Sequence, residues 1–352
     1  MPRRCGCEAG VAGLPTSLKA PGAAPAPAPP AARRRWHGAA WWPWVRRLAT
    51  TAFFVLVAFL LLRQARGIAW GEVWSSMQAR SEETLLLAVL LAAASHLLYS
   101  SFDLFGRRLT RHPLRVTRVM ATTFVSYVYN LNLGTLIGGM AFRYRLYWRQ
   151  GLQTPTVTTV LVTSMLTNWI GYLALGGLLL LIAQPPLPEA WGVEGSVLHV
   201  VGAAMLVLVV TWWLLCTFAP RRIWTVRGRR VELPGAGMAA LQIGMSALNW
   251  SLMATVVWVL LGADLAWSLV LGALLLAAVA GVMAHVPAGL GVFETVFVAL
   301  LVPALPTGEV LAAVLLYRAV YYLLPLLPAI GLHWHLERRG LAGREGRLAA
   351  PG

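Results

Sequence analysis

The sequence predicts an all-α, polytopic membrane fold, and three observations carry that reading. Charged residues fill only 12% of the 352 positions and hydrophobic ones 58%, where a soluble domain carries about 25% charged residues. Uncharged apolar runs recur along the chain, most of them near or above the ~20 residues that cross a bilayer as a helix. Arginines gather in alternate connections between those runs, as expected for loops on the cytoplasmic side. The organisation is about eight transmembrane helices with one or two re-entrant or broken helices, a pattern open to an inverted repeat.

Residues 1–40 come first and stand apart. The stretch GAAPAPAPPAARRRW is rich in Ala and Pro, cannot bury a core, and is expected to be a disordered basic tail. No apolar segment precedes the first span, which speaks against a cleaved signal peptide. Trp36, Trp41, Trp42 and Trp44 suit the headgroup layer, and Arg46 and Arg47 favour a cytoplasmic N-terminus. The membrane region is then 41–336, with apolar runs at 48–62, 84–102, 119–142, 156–183, 197–219, 236–261, 266–284, 290–305 and 308–332. A short basic tail, 337–352, closes the chain.

The formal net charge of +16 does not call for nucleic acid, because the arginines sit between apolar runs where they orient the chain. Cys5, Cys7 and Cys216 make no disulfide framework and no metal site, and no cofactor is expected. G-x-S-x-G, H-E-x-x-H and phosphate-loop patterns do not occur, so no enzyme is predicted.

The run 119–142 poses the main topological question. It is long enough to cross, yet Asn130, Asn132, Gly134, Gly138 and Gly139 interrupt it. Segment 103–118 holds five arginines against Asp103, and 139–155 holds Arg143, Arg145 and Arg149 with no acid. Segment 184–196 holds Glu189 and Glu194 with no base, and 220–235 holds five arginines against Glu232. A full crossing at 119–142 would put these strongly basic connections on opposite sides. A segment that dips and returns puts every basic one inside and the acidic one outside. Broken backbone at depth is tolerated only where protein or a wet cavity surrounds it. The reading is therefore a re-entrant 119–142, a short or broken crossing at 290–305, and both termini cytoplasmic.

Two residues carry the sharpest functional signal. Arg318 lies inside LLYRAVYYLLP, where an arginine costs ~2.5–3.5 kcal/mol on insertion scales. Glu294, at the end of HVPAGLGVFE (residues 285–294), is its expected partner. Such a pair either fastens two helices or lines a groove in which Arg318 meets a phosphate with its planar donor fork. Tyr317, Tyr321 and Tyr322 stand beside it as hydroxyl donors or as packing. Paired broken segments in two halves of a chain point to a transport site, or else to kinks where small residues let helices approach. Arg145 and Arg149, one turn apart, form either a cytoplasmic mouth for an anionic headgroup or an interfacial anchor. His96, Asn168, Trp169 and Asn249 are interior polar candidates without an assigned role.

The motifs NLNLGTLIGGMAFRYRLYWRQGL, TNWIGY, PAGLGVFE and LLYRAVYYLLP, in this order and spacing, resemble the lysylphosphatidylglycerol synthase/flippase transmembrane family, and in particular its stand-alone inner-membrane members, over roughly 41–336. The resemblance implies a lipid translocase of the bacterial inner membrane, without the aminoacyl-transferase domain that would make lysyl-phosphatidylglycerol. It also implies lipid-binding roles for Asn130, Gly138, Gly139, Arg143, Gly289, Gly291, Glu294 and Arg318, to which the reading of the residues themselves adds Asn132 and Arg145. Met140 stands where family members often carry an acid, and Ala288 where they carry a second glycine. The expected partners are membrane phospholipids, with a homo-oligomer and lipid-synthesis enzymes left open. The alternatives are a secondary transporter of a small solute and a non-transporting scaffold in lipid metabolism.

Overall fold

The computed structural model describes residues 70–348 apart from 185–191, 193, 220–222, 227–228, 264, 285, 287–288 and 303. The tail 1–40, the tryptophan cluster and the first apolar run, 48–62, lie outside the described residues. Helix α1, Trp70–Gln78, is followed by α2, Glu82–Ser100, which opens on an N-cap where the Ser81 hydroxyl accepts from the Thr84 amide. The cap satisfies one of the amides a helix start leaves free, and Glu82 and Glu83 add charge of the favourable sign. Helix α3, Asp103–Thr110, continues the same rod, so that 82–110 forms one apolar span. Asp103, expected in a connection, thus sits inside a spanning helix.

Helix α4, Val116–Leu133, runs to Gly134, whose φ of 84° reverses the chain. A π-helical turn, Thr135–Ala141, and helix α5, Phe142–Arg149, lead back. The return is antiparallel. Gly139 sits against the Asn130 side chain near the tip, and Gln150 Nε2 donates to Thr122 Oγ1 at 2.8 Å near the base. The segment 119–142 dips and comes back, as the arginine distribution predicts.

Helix α6, Thr154–Ile182, and helix α7, Gly195–Phe218, are long spans. In the connection read as a loop, strands β1, Ile223–Val226, and β2, Arg229–Glu232, pair antiparallel. Helix α8, Ala236–Leu260, lies parallel to α6: Gln242 meets Thr167, and Trp250 Nε1 reaches the Asn168 carbonyl at 3.1 Å. Since α6 starts at the mouth of the first hairpin, the C-terminal end of α8 reaches the opposite end of the bundle.

From there helix α9, Trp267–Ala284, runs inward, and helix α10, Val292–Leu301, turns back along it. Ten residues rise only ~15 Å, about half of a ~30 Å hydrocarbon core. The run 290–305, expected to be a short or broken crossing, is short as expected but forms one arm of a second hairpin. Helix α11, Thr307–Tyr317, a π-helical turn at Arg318–Leu323, and helix α12, Leu326–Leu348, form the last rod. The stretch from 337, read as a tail, continues α12. Among the described residues six helices are long and apolar enough to span a membrane. The main core packs α2, α8, α9, α10 and α11 through residues such as Ala92, Val257, Leu274, Phe297 and Val314.

Candidate functional site

The second hairpin closes on a charge pair. Gly289 and Gly291 have φ of 58° and 79°, backbone angles open mainly to glycine, and they bend the chain from α9 into α10. This leaves the Gly291 amide at the helix start, where Glu294 Oε2 accepts it at 2.9 Å. Arg318 Nε donates to Glu294 Oε1, and Nη2 donates to Glu294 Oε2 at 3.2 Å and to the Gly289 carbonyl at 3.1 Å. The guanidinium also stacks near Phe293 and Tyr322, 5.7 and 5.4 Å from the ring centroids. Arg318 lies eleven residues into the last rod, ~16 Å along it, which is near mid-depth of a ~30 Å hydrocarbon layer. The pair predicted from insertion cost is formed, and its side chains keep 11% and 16% of their surface open.

The tip of the first hairpin reaches this centre. Asn132 Nδ2 donates to the Tyr322 carbonyl at 3.0 Å and to the Val128 carbonyl of its own helix at 2.9 Å. A π-helical turn displaces backbone bonds from the α pattern, and here a side chain from the first hairpin donates to one carbonyl of the last rod. Asn130 packs on Gly139, where a Cβ would come within 2.7 Å of its Oδ1. Gly138 lies in the same π-helical turn. The two interrupted segments converge on the same turn of the last rod, Asn132 through the Tyr322 carbonyl and Gly289, Gly291 and Glu294 through Arg318.

Arg143 and Arg145 do not join it. Arg143 sits back along α5, buried, with Nη1 at 3.3 Å from Asp103 Oδ1 and 3.4 Å from Ser164 Oγ. Tyr147 donates its hydroxyl to Asp103 Oδ2 at 2.7 Å. Arg145 is half-exposed and pairs with Glu337 at 2.9 Å, and Arg149 shares that carboxylate at 3.4 Å. The shared face predicted for Arg145 and Arg149 exists, yet it holds α12 against α5 instead of standing open as a mouth.

Sequence reasoning missed the buried network beneath the tips. Ser95 Oγ donates to Asn249 Oδ1 at 2.8 Å and lies 2.7 Å from the Tyr321 hydroxyl, which is 3.1 Å from that of Tyr127. Tyr321 thus belongs to the core, while Tyr322 touches Arg318. His96 bonds the Ala92 carbonyl at 2.9 Å, Asn168 serves through its backbone carbonyl, and Trp169 packs edge-on against Tyr172. An apolar groove of about 530 Å³, walled by Ala92, Leu97, Phe124, Val320 and Leu327 among others, lies between α2, α4 and the start of α12, and neither Arg318 nor Glu294 lines it.

Among the described residues, six helices of membrane-spanning length, one of them the long arm of the second hairpin, and two hairpins inserted from opposite ends that converge on the last rod beside a charge pair define a multi-pass helical membrane protein with an interior polar centre. The chain belongs to the family described as Lysylphosphatidylglycerol synthase TM region, which matches residues 47–329. It is 38% identical to "Inner membrane protein YbhN" of Escherichia coli over 297 residues, covering 84% of this chain and 93% of that protein. A Synechocystis protein, slr0712, is 29% identical over 86% of this chain and 98% of its own length. A Staphylococcus aureus phosphatidylglycerol lysyltransferase is 24% identical over 80% of this chain, which spans only 32% of that enzyme.

Proposed function

We propose that this protein binds a phospholipid between its two hairpins and moves it between the leaflets of a bacterial inner membrane. The observation that carries the reading is the partly open Glu294–Arg318 pair, set in the last rod at the turn on which both hairpins converge, the first through Asn132 and the second through Gly289. An arginine held there by a carboxylate, a backbone carbonyl and two ring faces can exchange partners with a lipid phosphate, since a guanidinium fork matches phosphate as well as carboxylate. Membership in this family and the similarity to an inner-membrane protein support the location. The arginine-rich connections support cytoplasmic termini. No lysyl transfer is assigned to this chain, which corresponds to a third of the lysyltransferase it resembles.

The test is reconstitution into vesicles holding a tail-labelled phospholipid, with the outer-leaflet label quenched chemically. The wild type should expose inner-leaflet label faster than empty vesicles, and Arg318→Ala should return the rate to background while remaining folded. Uptake of entrapped-space solute without lipid exchange would assign the protein to solute transport. Retention of lipid with no exchange in either form would assign it to the scaffold class.

A further inference from the structure

We infer that the Glu294–Arg318 centre receives a zwitterionic phospholipid headgroup, one carrying a phosphate and an ammonium, in preference to an anionic one; this rests on the lipid-translocation reading above. Charge balance is the reason. Between residues 286 and 323 the charged side chains are Glu294, Glu309 and Arg318. Glu309 is nine residues before Arg318 on a continuous helix, ~13 Å away along the axis. The centre is therefore one carboxylate and one guanidinium, with no net charge. An arriving phosphate that takes Arg318 leaves Glu294 without its counterion, and an isolated charge in a poorly hydrated site costs several kcal/mol. A headgroup that also brings an ammonium supplies the missing partner in the same step, so the internal pair is replaced by two intermolecular ones of the same sign pattern.

The surroundings fit both ends of such a headgroup. On the cationic side, the Phe293 and Tyr322 rings already stand against a guanidinium, and ring faces favour an ammonium equally. The Gly289 carbonyl, now taken by Arg318 Nη2, is a further acceptor for N–H donors. On the anionic side, the Gly291 amide bonds Glu294 Oε2, which leaves the other carboxylate oxygen to be yielded by Arg318 Nε. The neighbouring pair does not compete, because Asp103 and Arg143 are closed off at 0% and 5% exposure.

The experiment is native mass spectrometry of the purified full-length protein after exposure to an equimolar mixture of three tail-matched lipids. These are phosphatidylethanolamine, phosphatidylglycerol and N-acetyl-phosphatidylethanolamine, with lipid retained by Arg318→Ala subtracted as annular. The wild type should retain phosphatidylethanolamine at least about tenfold over either anionic lipid. Glu294→Gln keeps an acceptor for the Gly291 amide but leaves Arg318 uncompensated, so its preference should move to the anionic pair. Should Glu294→Gln fail to fold, the wild-type contrast between phosphatidylethanolamine and its N-acetyl form decides, because the two differ in the ammonium charge. Phosphatidylglycerol retained as well as phosphatidylethanolamine would overturn the zwitterion preference and leave lipid binding intact. Retention of none of the three would overturn lipid binding itself.

Discussion

Among the described residues, two arginine–carboxylate pairs lie within the helical bundle, Asp103–Arg143 and Glu294–Arg318, and they differ in access. Asp103–Arg143 is sealed: its carboxylate takes the guanidinium on one oxygen and the Tyr147 hydroxyl on the other, and Ser164 covers the same arginine. Glu294–Arg318 has at least as many hydrogen bonds but keeps part of its surface open, and one of its supports is the carbonyl of a bent glycine segment. Similar chemistry therefore has two uses. A sealed pair fixes the α3–α5–α6 junction, and a partly open pair at mid-depth can trade one partner for another. Burial depth alone does not separate them; access does.

The comparison breaks most visibly at the sealed pair. Asp103→Ala leaves a buried guanidinium uncompensated and should cost about 3–5 kcal/mol, read as a large fall in thermal midpoint in detergent or as loss of folded yield. Replacing both partners with apolar residues of similar volume, Asp103→Leu with Arg143→Met, should recover most of that loss. If the double variant were as unstable as the single, the pair would be doing more than fastening helices. At the open pair the order of effects reverses. Arg318→Ala should abolish leaflet exchange while lowering stability by less than Asp103→Ala does, because the Glu294 carboxylate keeps the Gly291 amide as a donor whereas the fully enclosed Arg143 loses its carboxylate.

Smaller effects sharpen the contrast between the hairpins. Gly139→Ala would put a Cβ 2.7 Å from Asn130 Oδ1, and over-packing of this kind costs typically 1–3 kcal/mol. The loss should appear in thermal midpoint and, through Asn132, in exchange rate. Least of all, Glu337→Gln at the half-exposed Arg145 should shift stability by about 1 kcal/mol or less, an effect that salt should reduce.

Much of this arrangement was legible in the sequence because the bilayer imposes simple costs. An arginine inside an apolar run demands a partner, and Glu294 was the acid within reach of Arg318. Arginines on both sides of 119–142 demand one face, and glycines supply the reversal. Asp103 was misplaced for a physical reason as well. It follows the apolar run 84–102 and precedes five arginines, so it reads as loop, although Phe102 and Phe105 flank it with apolar surface that the bundle buries. That flanking was the available signal. The run 290–305 reads as a short or broken crossing, and its break is real, but apolar length does not show that 292–301 turns back along α9. The Ser95–Asn249–Tyr321 network and the Glu337 contact to Arg145 join residues far apart in the chain, and no local pattern encodes such meetings. Arg143 and Arg145 carry the charge expected of a lipid mouth, but each is engaged elsewhere.

The π-helical turn at Arg318–Leu323 works like a vernier between two gauges. One additional residue in a single helical turn offsets everything before it by about 100° from everything after it. The guanidinium therefore owes its heading to the count of residues below it as much as to its own rotamer. Removing one residue from 319–321 would leave the rod intact and swing Arg318 off the Gly289–Glu294 wall, which makes the length of this turn, rather than any side chain in it, the setting that aims the charge.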